Sequence, residues 1–589
     1  MTAVMNRRDL EFLLFEWLDV TALTEHEYFA EHSRETFAAL LELSEDLATT
    51  YFAPSNRLGD TEEPRIADDG TVTLPAETGA ALAAFAKADL LAAQFDGSVG
   101  GMQLPLTVFQ ACMAWFQAAN TATTGYAFLT IAAANLLVAH GSPEQVDAWV
   151  RPMLAGETFG TMCLSEPEAG SSLADVTTRA TRCPDGTYRV VGTKMWISAG
   201  DHGLGDIVHL VLARTPGAPA GVRGLSLLAV PKYLPDRRRN DVVLTSLNHK
   251  TGTRGTTNAV LAFGDGTHAP TPEPGAVGYL VGEEGRGLAQ MFHMMNEARI
   301  GVGLVAAAVG QAGYRKSLEY AAVRTQGRSL TDRDPTSPPV PLTAHPDVRR
   351  MLLAQKAYVE GGLALVLRCA MLVDRLRTVT DDRQRRRLGL LLDLLTPIAK
   401  SWPSQWCLEA NSLAIQVHGG YGYSREFDVE QHWRDNRLNP IHEGTHGIQA
   451  LDLLGRKVVT DGAFAELAAA IRATVAEAAR IDALAEYAEA LDDALTHLSH
   501  VTFLVTEPEH ATAGLANATL YLEAAGHIVV AWIWLELAIA AHGREGRFYD
   551  GKRAAAQYFF RHELPKVSAP LDLLASHDRT ALDLDPRCL

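Results

Sequence analysis

The feature that most restricts the fold is residues 287–328, GLAQMFHMMNEARIGVGLVAAAVGQAGYRKSLEYAAVRTQGR, which contain no proline. Read as one helix, the stretch far exceeds the ordinary ~10–14 residues. Helices this long bury their apolar faces by packing side by side, which predicts a helix bundle rather than a mixed sheet. The next stretch, RDPTSPPVPLTAHPD (333–347), is a proline-rich connection. Pro346 stands where it can open a helix, PDVRRMLLAQKAYVEGGLALVLRCAMLVD, because the first helical residue needs no N–H partner. A third helix is read over PIAKSWPSQWCLEANSLAIQV (397–417), stopped by Gly419-Gly420, since glycine closes helices readily.

From Asp9 to about residue 157 the chain is also helical, Ala/Leu-rich, and interrupted by the loop FDGSVGGMQLP (95–105). Near residue 160 the apolar period shortens. TYRVVGTKMWIS follows the turn Pro184-Asp185-Gly186, and DIVHLVLAR and GLSLLAVPKYL are short β-branched or alternating runs, the signature of strands. The expected architecture is therefore mainly α with a central β domain: helices over 1–158, a β domain over 159–278, a helix bundle over 279–465 and further helices over 466–589.

A formal net charge of −18 argues against binding nucleic acid or anionic membrane surfaces. Residues 471–589 carry ten Lys/Arg against seventeen Asp/Glu, a net of −7, so they form no basic footprint. The six cysteines are widely spaced with no C-x-x-C, which suits a reducing compartment. Asp9, Glu11 and Glu16 interrupt any apolar region after the Arg7-Arg8 pair, against an export signal. HIVVAWIWLELAIAAHG (527–543) contains Glu536 and reads as a buried helix rather than a membrane span. A cytoplasmic protein without membrane insertion is expected.

NPIHEGTHGIQALDLL (439–454) contains His442-Glu443-Gly444-Thr445-His446, the H-E-x-x-H pattern of zinc hydrolases. That chemistry needs both histidines on one helical face. Gly444 and Gly447 each disfavour a helix by about 1 kcal/mol, and Pro440 lies just upstream. A helix starting at Thr445 as N-cap, with Ile448, Leu451 and Leu454 facing inward and Gly455 near its end, fits better. Glu443 then sits in a loop ahead of a helix. Glu466 has a plausible spacing for a third zinc ligand, but AFAELAAA offers nothing polar to orient it. No metal is expected.

Two further stretches, MCLSEPEAGSSLADV (162–176) and GTKMWISAG (192–200), join GYLVGEEGRGLAQM, RTQGR and QVHGGYGYSREFDVEQHWRDNRLNPIHEGT in the same order along the chain. With these motifs the chain resembles the acyl-CoA dehydrogenases from about residue 35 to 460, and its length resembles that of the larger bacterial members with an additional C-terminal helical domain. The resemblance implies an N-terminal helical domain, a β-barrel-like middle domain and a C-terminal four-helix bundle. It also implies FAD-dependent oxidation of an acyl-CoA thioester to its trans-2-enoyl form, with Glu443 abstracting the α-proton and the β-hydride passing to flavin N5. Such a reaction requires a carboxylate strengthened by removal of water and donors for the developing enolate oxygen.

By position, the resemblance assigns flavin contacts to Leu164, Ser165 and Ser171, with Gly170 permitting close approach, and to Trp196 and Ser198. It assigns contacts to a neighbouring subunit's FAD to Arg324, Gln326, Gln416, Gly419 and Gly420, which implies a homodimer. Thr445 opens a helix whose N–H groups suit the cofactor's phosphates. Gly444 and Arg254 are placed at the substrate. Electron-transferring flavoprotein is the implied electron acceptor. His442 stands where many members have tyrosine, and Gly447 where shorter members have glutamine. An oxidase using O2, a carrier-protein-linked dehydrogenase, a non-catalytic flavoprotein and, most remotely, a zinc hydrolase through His442 and His446 are the alternatives.

Overall fold

The computed structural model describes residues 4–589, with residues 292–296 described by their backbone alone. The chain forms two compact units. One comprises Met1–Ala38, Pro105–Ala114 and Arg299–Leu589; the other comprises Ala39–Leu104 and Trp115–Ala298. The fold is mainly helical and contains a barrel-like sheet.

Among the described residues, the second unit holds all the strands. A two-stranded ribbon, β1 (Arg65–Ile66) and β2 (Val72–Thr73), interrupts the N-terminal helical region. The barrel is built from β3 (Thr158–Cys163), β4 (Arg179–Arg182), β5 (Tyr188–Ser198), β6 (Asp206–Arg214), β7 (Leu225–Pro231), β8 (Val242–Leu247), β9 (Asn258–Phe263) and β10 (Ala276–Leu280). Strand β5 pairs with β4, β9 and β10, and β10 also pairs with β7. The ring β5–β4–β6–β7–β10 therefore closes on itself, which removes open edges from those strands. Its interior is filled by Tyr188, Val190, Ile197, Val211, Leu228 and Phe263 among others. The long helix α1 (Leu106–His140) breaks at Asn120 (φ −162°, ψ 87°). The Asn120 amide donates to the Phe52 carbonyl and the Ser55 hydroxyl at 3.3 and 3.2 Å instead.

The first unit is helical. It contains α2 (Gly287–Val323) from Arg299 onward, α3 (Pro346–Thr378), α4 (Asp382–His418), α5 (Val429–Asn436) and α6 (His446–Asp452). Pro346 occupies the first turn of α3, and Gly419, at φ +61°, caps α4. Two boundaries differ from the sequence reading. The helix over 287–328 stops at Val323, because Thr325 bridges to Pro341 and the Gln326 N–H donates to the Val340 carbonyl. The proline-rich segment thus folds back as an extended partner to RTQGR. Helix α4 starts at Asp382, capped by Asp381, and carries Pro397 and Pro403 internally. The hydroxyls of Thr396 and Ser404 bond backbone carbonyls one turn back, at Leu392 and Lys400, both at 2.6 Å. A Cβ on Gly303 of α2 would lie 2.1 Å from the Ala399 carbonyl oxygen, which Pro403 leaves without its usual helical donor.

The C-terminal helices, including α7 (Ala463–Ala478), α8 (Ala485–Thr506), α9 (Ala518–Ala540) and α10 (Arg547–Tyr558), belong to this unit too. Helix α9 is long and apolar enough to cross a membrane, yet 83% of its most apolar stretch is buried inside the protein. Trp534 of α9 is fully buried and donates to the Ala357 carbonyl of α3 at 3.1 Å. A Cβ on Gly361 would meet that indole at 2.7 Å, and one on Gly526 would meet Trp402 at 2.8 Å. Lys552 of α10 is buried between Asp9 and Glu360, so the N-terminal segment, the bundle and the C-terminal helices share one ionic junction.

Candidate active site

Glu443 lies in the loop between α5 and α6, on left-handed backbone at φ +52°, and Gly444 follows at φ +86°. A left-handed glutamate is strained, so the surroundings must impose it. A ladder of buried amides does so from one side. Asn411 donates to the Val309 carbonyl (3.1 Å), Asn436 to the Ala306 carbonyl and the Asn411 side-chain oxygen (3.1 and 2.7 Å), and Asn439 to the Asn436 side-chain oxygen (2.8 Å). The Asn439 side-chain oxygen is then left to accept from His442 Nε2 at 3.1 Å, which fixes the imidazole proton on Nε2. From the other side, Gln449 Nε2 donates to the Glu443 carbonyl at 3.0 Å. A Cβ on Gly444 would sit 2.5 Å from the same amide nitrogen, so only glycine fits there.

Lys400 of α4 completes the frame. Its side chain is fully buried, and Nζ donates to the carbonyls of Asn439 (2.7 Å) and Gly444 (2.8 Å). Among the described residues, the Glu443 carboxylate accepts no hydrogen bond and the Glu443 backbone N–H finds no acceptor. Burial pushes the carboxyl above its ordinary range, opposed by the charges of Lys400 and Arg299. Arg299 is itself held by Asp452 at 2.7 Å. Burial lowers Lys400 to about 7, against the pull of Glu443. It also depresses His442 to about 3 and His446 to about 4, in both cases helped by the Lys400 charge, so both imidazoles are neutral.

The zinc arrangement is not formed. The left-handed residues at 443 and 444 break the helix that would align the histidines, and α6 begins only at His446, with the Thr445 hydroxyl accepting from the Ile448 N–H at 3.3 Å. His442 and His446 bond Asn439 and Gln405, while Glu466 pairs with Arg387 at 2.9 Å. The inner face of α6 also needs correction. Leu451 is 45% exposed, and buried Gln449, Ala450, Leu453 and Leu454 face inward, because Gln449 is drawn in by the carbonyl it holds.

Within the β-containing unit, the structure brings Leu164, Ser165 and Trp196 together. The Leu164 carbonyl accepts from Lys194 Nζ at 2.9 Å, and the Ser165 carbonyl from the Met195 N–H at 3.0 Å. The β5–β9 pairing slips between Lys194 and Ile197, and Trp196 sits in that bulge at φ +66° with 56% of its surface exposed. A large indole on strained backbone, presented to solvent, has a free face on which a flat partner can stack. Ser198 accepts from Asn258 at 3.3 Å. Ser171 lies on the exposed part of the loop, and the space beside Gly170 is open. Glu166 anchors this loop. Its carboxylate accepts from the backbone N–H groups and hydroxyls of Thr177 and Thr178 and pairs with fully buried Lys194 at 3.0 Å. Arg254 is occupied locally, 3.8 and 3.7 Å from Asp60 and Glu63.

Within the helical unit, Arg324, Gln326, Gly419 and Gly420 line one cavity of about 920 Å³ together with Tyr320, Tyr421 and others. The Arg324 guanidinium lies 5.7 Å from the centre of the Tyr421 ring. Gln416 is exposed one turn earlier on α4 and does not line it. Lys400, Arg299, Gln449 and the asparagine ladder were not singled out from the sequence. Their one visible signal is polar residues inside apolar helical runs, as in LLTPIAKSWP.

Comparison with known proteins agrees along the whole chain. The family models described as acyl-CoA dehydrogenase, middle domain, and acyl-CoA dehydrogenase, C-terminal domain, match residues 161–265 and 285–458. One described as acetyl-CoA dehydrogenase C-terminal like matches residues 467–585. The chain is 36% identical to 3-methylmercaptopropionyl-CoA dehydrogenase of Ruegeria pomeroyi over 97% of both chains. It is 34% identical to a broad-specificity linear acyl-CoA dehydrogenase of Mycobacterium tuberculosis over 98% of both. Its fold matches the acyl-CoA dehydrogenase complexed with FAD from Bacillus anthracis (TM-score 0.74, 18% identity, 97% of this chain and 93% of that one). It also matches butyryl-CoA dehydrogenase from Megasphaera elsdenii (TM-score 0.59, 22% identity, 72% and 98%). Full-length identity to two such enzymes, together with matches to three consecutive family models, places this chain in the acyl-CoA dehydrogenase family.

Proposed function

We propose that this acyl-CoA dehydrogenase oxidises a saturated acyl-CoA to the trans-2-enoyl thioester with FAD as cofactor and Glu443 as the base. The observation that carries the reading is the Glu443 carboxylate, held in a left-handed loop without a hydrogen-bond donor and raised by burial. A carboxylate in that condition is a stronger base than one in water. It takes the α-proton of the thioester. The unengaged Glu443 N–H is available to the thioester oxygen as negative charge develops there, and Gly444 keeps side-chain bulk away from that peptide.

Bound FAD supplies the acceptor for the hydride leaving the β-carbon. Leu164, Ser165, Ser171, Trp196 and Ser198 are the residues that would contact its ring and phosphates, and the helix opened by Thr445 offers N–H groups suited to phosphate. Arg324, Gln326, Gln416, Gly419 and Gly420 are the residues that would reach the FAD of a neighbouring subunit. The exposed Trp196 ring fits an aromatic group, and the arginine-lined cavity fits an anionic one. A homodimer that shares its cofactor sites is the proposed assembly, supported by exposed Val323 and Tyr423, which flank cavity-lining residues in sequence. Electron-transferring flavoprotein is the proposed acceptor and the cytoplasm the proposed location.

The test is anaerobic addition of saturated acyl-CoAs of varied chain to the purified protein after incubation with FAD. Bleaching of the flavin band by one or more of them is expected. A flavin that no thioester bleaches would overturn the substrate assignment, and a protein that takes up no FAD would overturn the cofactor.

A further inference from the structure

We propose that Lys400 is a positioning residue for this reaction: its ammonium, seated between the carbonyls of Asn439 and Gly444, fixes the peptide that carries Glu443 and supplies the positive charge against which that carboxylate ionises. The inference rests on Glu443 being the base.

Geometry carries it. Lys400 reaches from the middle of α4 to both ends of the loop, bonding residues 439 and 444 at 2.7 and 2.8 Å. Removing the amine leaves two carbonyls without that donor and the left-handed turn without its clamp. The charge argument is independent. Lys400 and Arg299 are the two cations that act on Glu443. Arg299 is engaged by Asp452, which Arg456 also binds. The imidazoles of His442 and His446 flank the glutamate uncharged, and the exposed Arg437 acts on His446. Lys400 is thus the cation near Glu443 whose charge no carboxylate answers directly among the described residues. The Glu443 carboxylate answers it through space, without a direct ion pair.

The sign follows. Protonated Lys400 favours ionised Glu443, so replacing it with a neutral residue raises the carboxyl further and moves the acid limb of the rate profile to higher pH. The experiment is single-turnover anaerobic bleaching of the flavin by an acyl-CoA substrate from pH 5 to 9, in wild type, Lys400→Met, Lys400→Gln and Lys400→Arg, with FAD content measured alongside. Lys400→Met should shift the acid limb upward by a pH unit or more, read as a roughly tenfold slower reaction on the acid side and recovery toward high pH. Lys400→Gln keeps a donor without the charge and should show the same shift with a smaller loss at the plateau. Lys400→Arg keeps the charge and should hold the limb near wild type. If Lys400→Met fails to fold, the Gln and Arg pair still separates charge from hydrogen bonding.

Superimposable profiles for wild type and Lys400→Gln, or an equal loss at every pH, would overturn the proposal. A Glu443→Gln control separates the two readings. Bleaching by Glu443→Gln would remove the base assignment itself, whereas an inert Glu443→Gln beside an unshifted Lys400→Gln would remove only the role of Lys400.

Discussion

The barrel and the bundle each bury a lysine beside a glutamate, and the two pairs are built oppositely. In the barrel, Glu166 receives four hydrogen bonds from Thr177 and Thr178 and a direct bond from Lys194. Burial alone would raise it, yet the Thr178 bond, the Lys194 charge and the Thr177 bonds hold it at about 2. In the bundle, Glu443 receives no hydrogen bond among the described residues, Lys400 spends its bonds on carbonyls instead, and burial wins. The same two residue types therefore give an inert anchor in one place and, in the other, a carboxylate raised by burial, the proposed proton acceptor. What decides is where the donors point.

Four measurements probe that contrast. The largest effect is expected from Glu443→Gln, which removes the proposed base and should slow substrate bleaching of the flavin by about 10²–10⁴-fold while FAD remains bound. Next is Lys194→Met, which strands a buried carboxylate. Urea unfolding should show a loss of about 3–5 kcal/mol, and a loss near zero would mean the barrel pair is not an anchor. Third, the two glutamates should respond to pH with opposite signs. Glu166, held down at about 2, contributes stability that is present above its ordinary 4.5 and lost as pH falls toward 2. Glu443, raised, contributes stability only at low pH and loses it as pH climbs through its folded-state value. Melting curves should accordingly show Glu443→Gln more stable than wild type at neutral pH, and Glu166→Gln less stable. The smallest effect is expected from Trp196→Ala, which should leave the melting point nearly unchanged because the ring is exposed, but weaken FAD retention by about 0.5–1.5 kcal/mol in a dilution assay.

Where local chemistry decides structure, the sequence was readable. Pro346 opening α3, Gly419 closing α4 and Thr445 capping α6 all follow from the backbone needs of single residues. So did the loop placement of Glu443, since two glycines and a cap within four residues leave a helix no room. Strand β6 matched its β-branched run residue for residue, and β5 starts one residue inside its own, at Tyr188. The rest was written in contacts between distant positions. Lys400 looks like a helix breaker's neighbour until the chain folds it onto residue 444, and Gln449 looks like an exposed polar residue until its amide meets the Glu443 carbonyl. Periodicity put Leu451 inside for the same reason: it ranks side chains by hydropathy and cannot see a carbonyl waiting for a donor. The extended segment that returns at Pro341 and ends α2 early likewise depends on a partner farther along the chain.

The glycines beneath the C-terminal helices carry a consequence for engineering. Gly361 and Gly526 let α9 approach so closely that two tryptophans are locked across the contact, and Lys552 ties the same region to Asp9 near the start of the chain. The last hundred-odd residues are therefore a keystone rather than an appendage. Trimming the gene before residue 467, where the last family match begins, would strip Trp402, Gly361 and buried Glu360 of their cover at once. The resulting fragment would be sticky and insoluble rather than a minimal enzyme, and a successful miniaturisation would have to rebuild that flank with polar residues first.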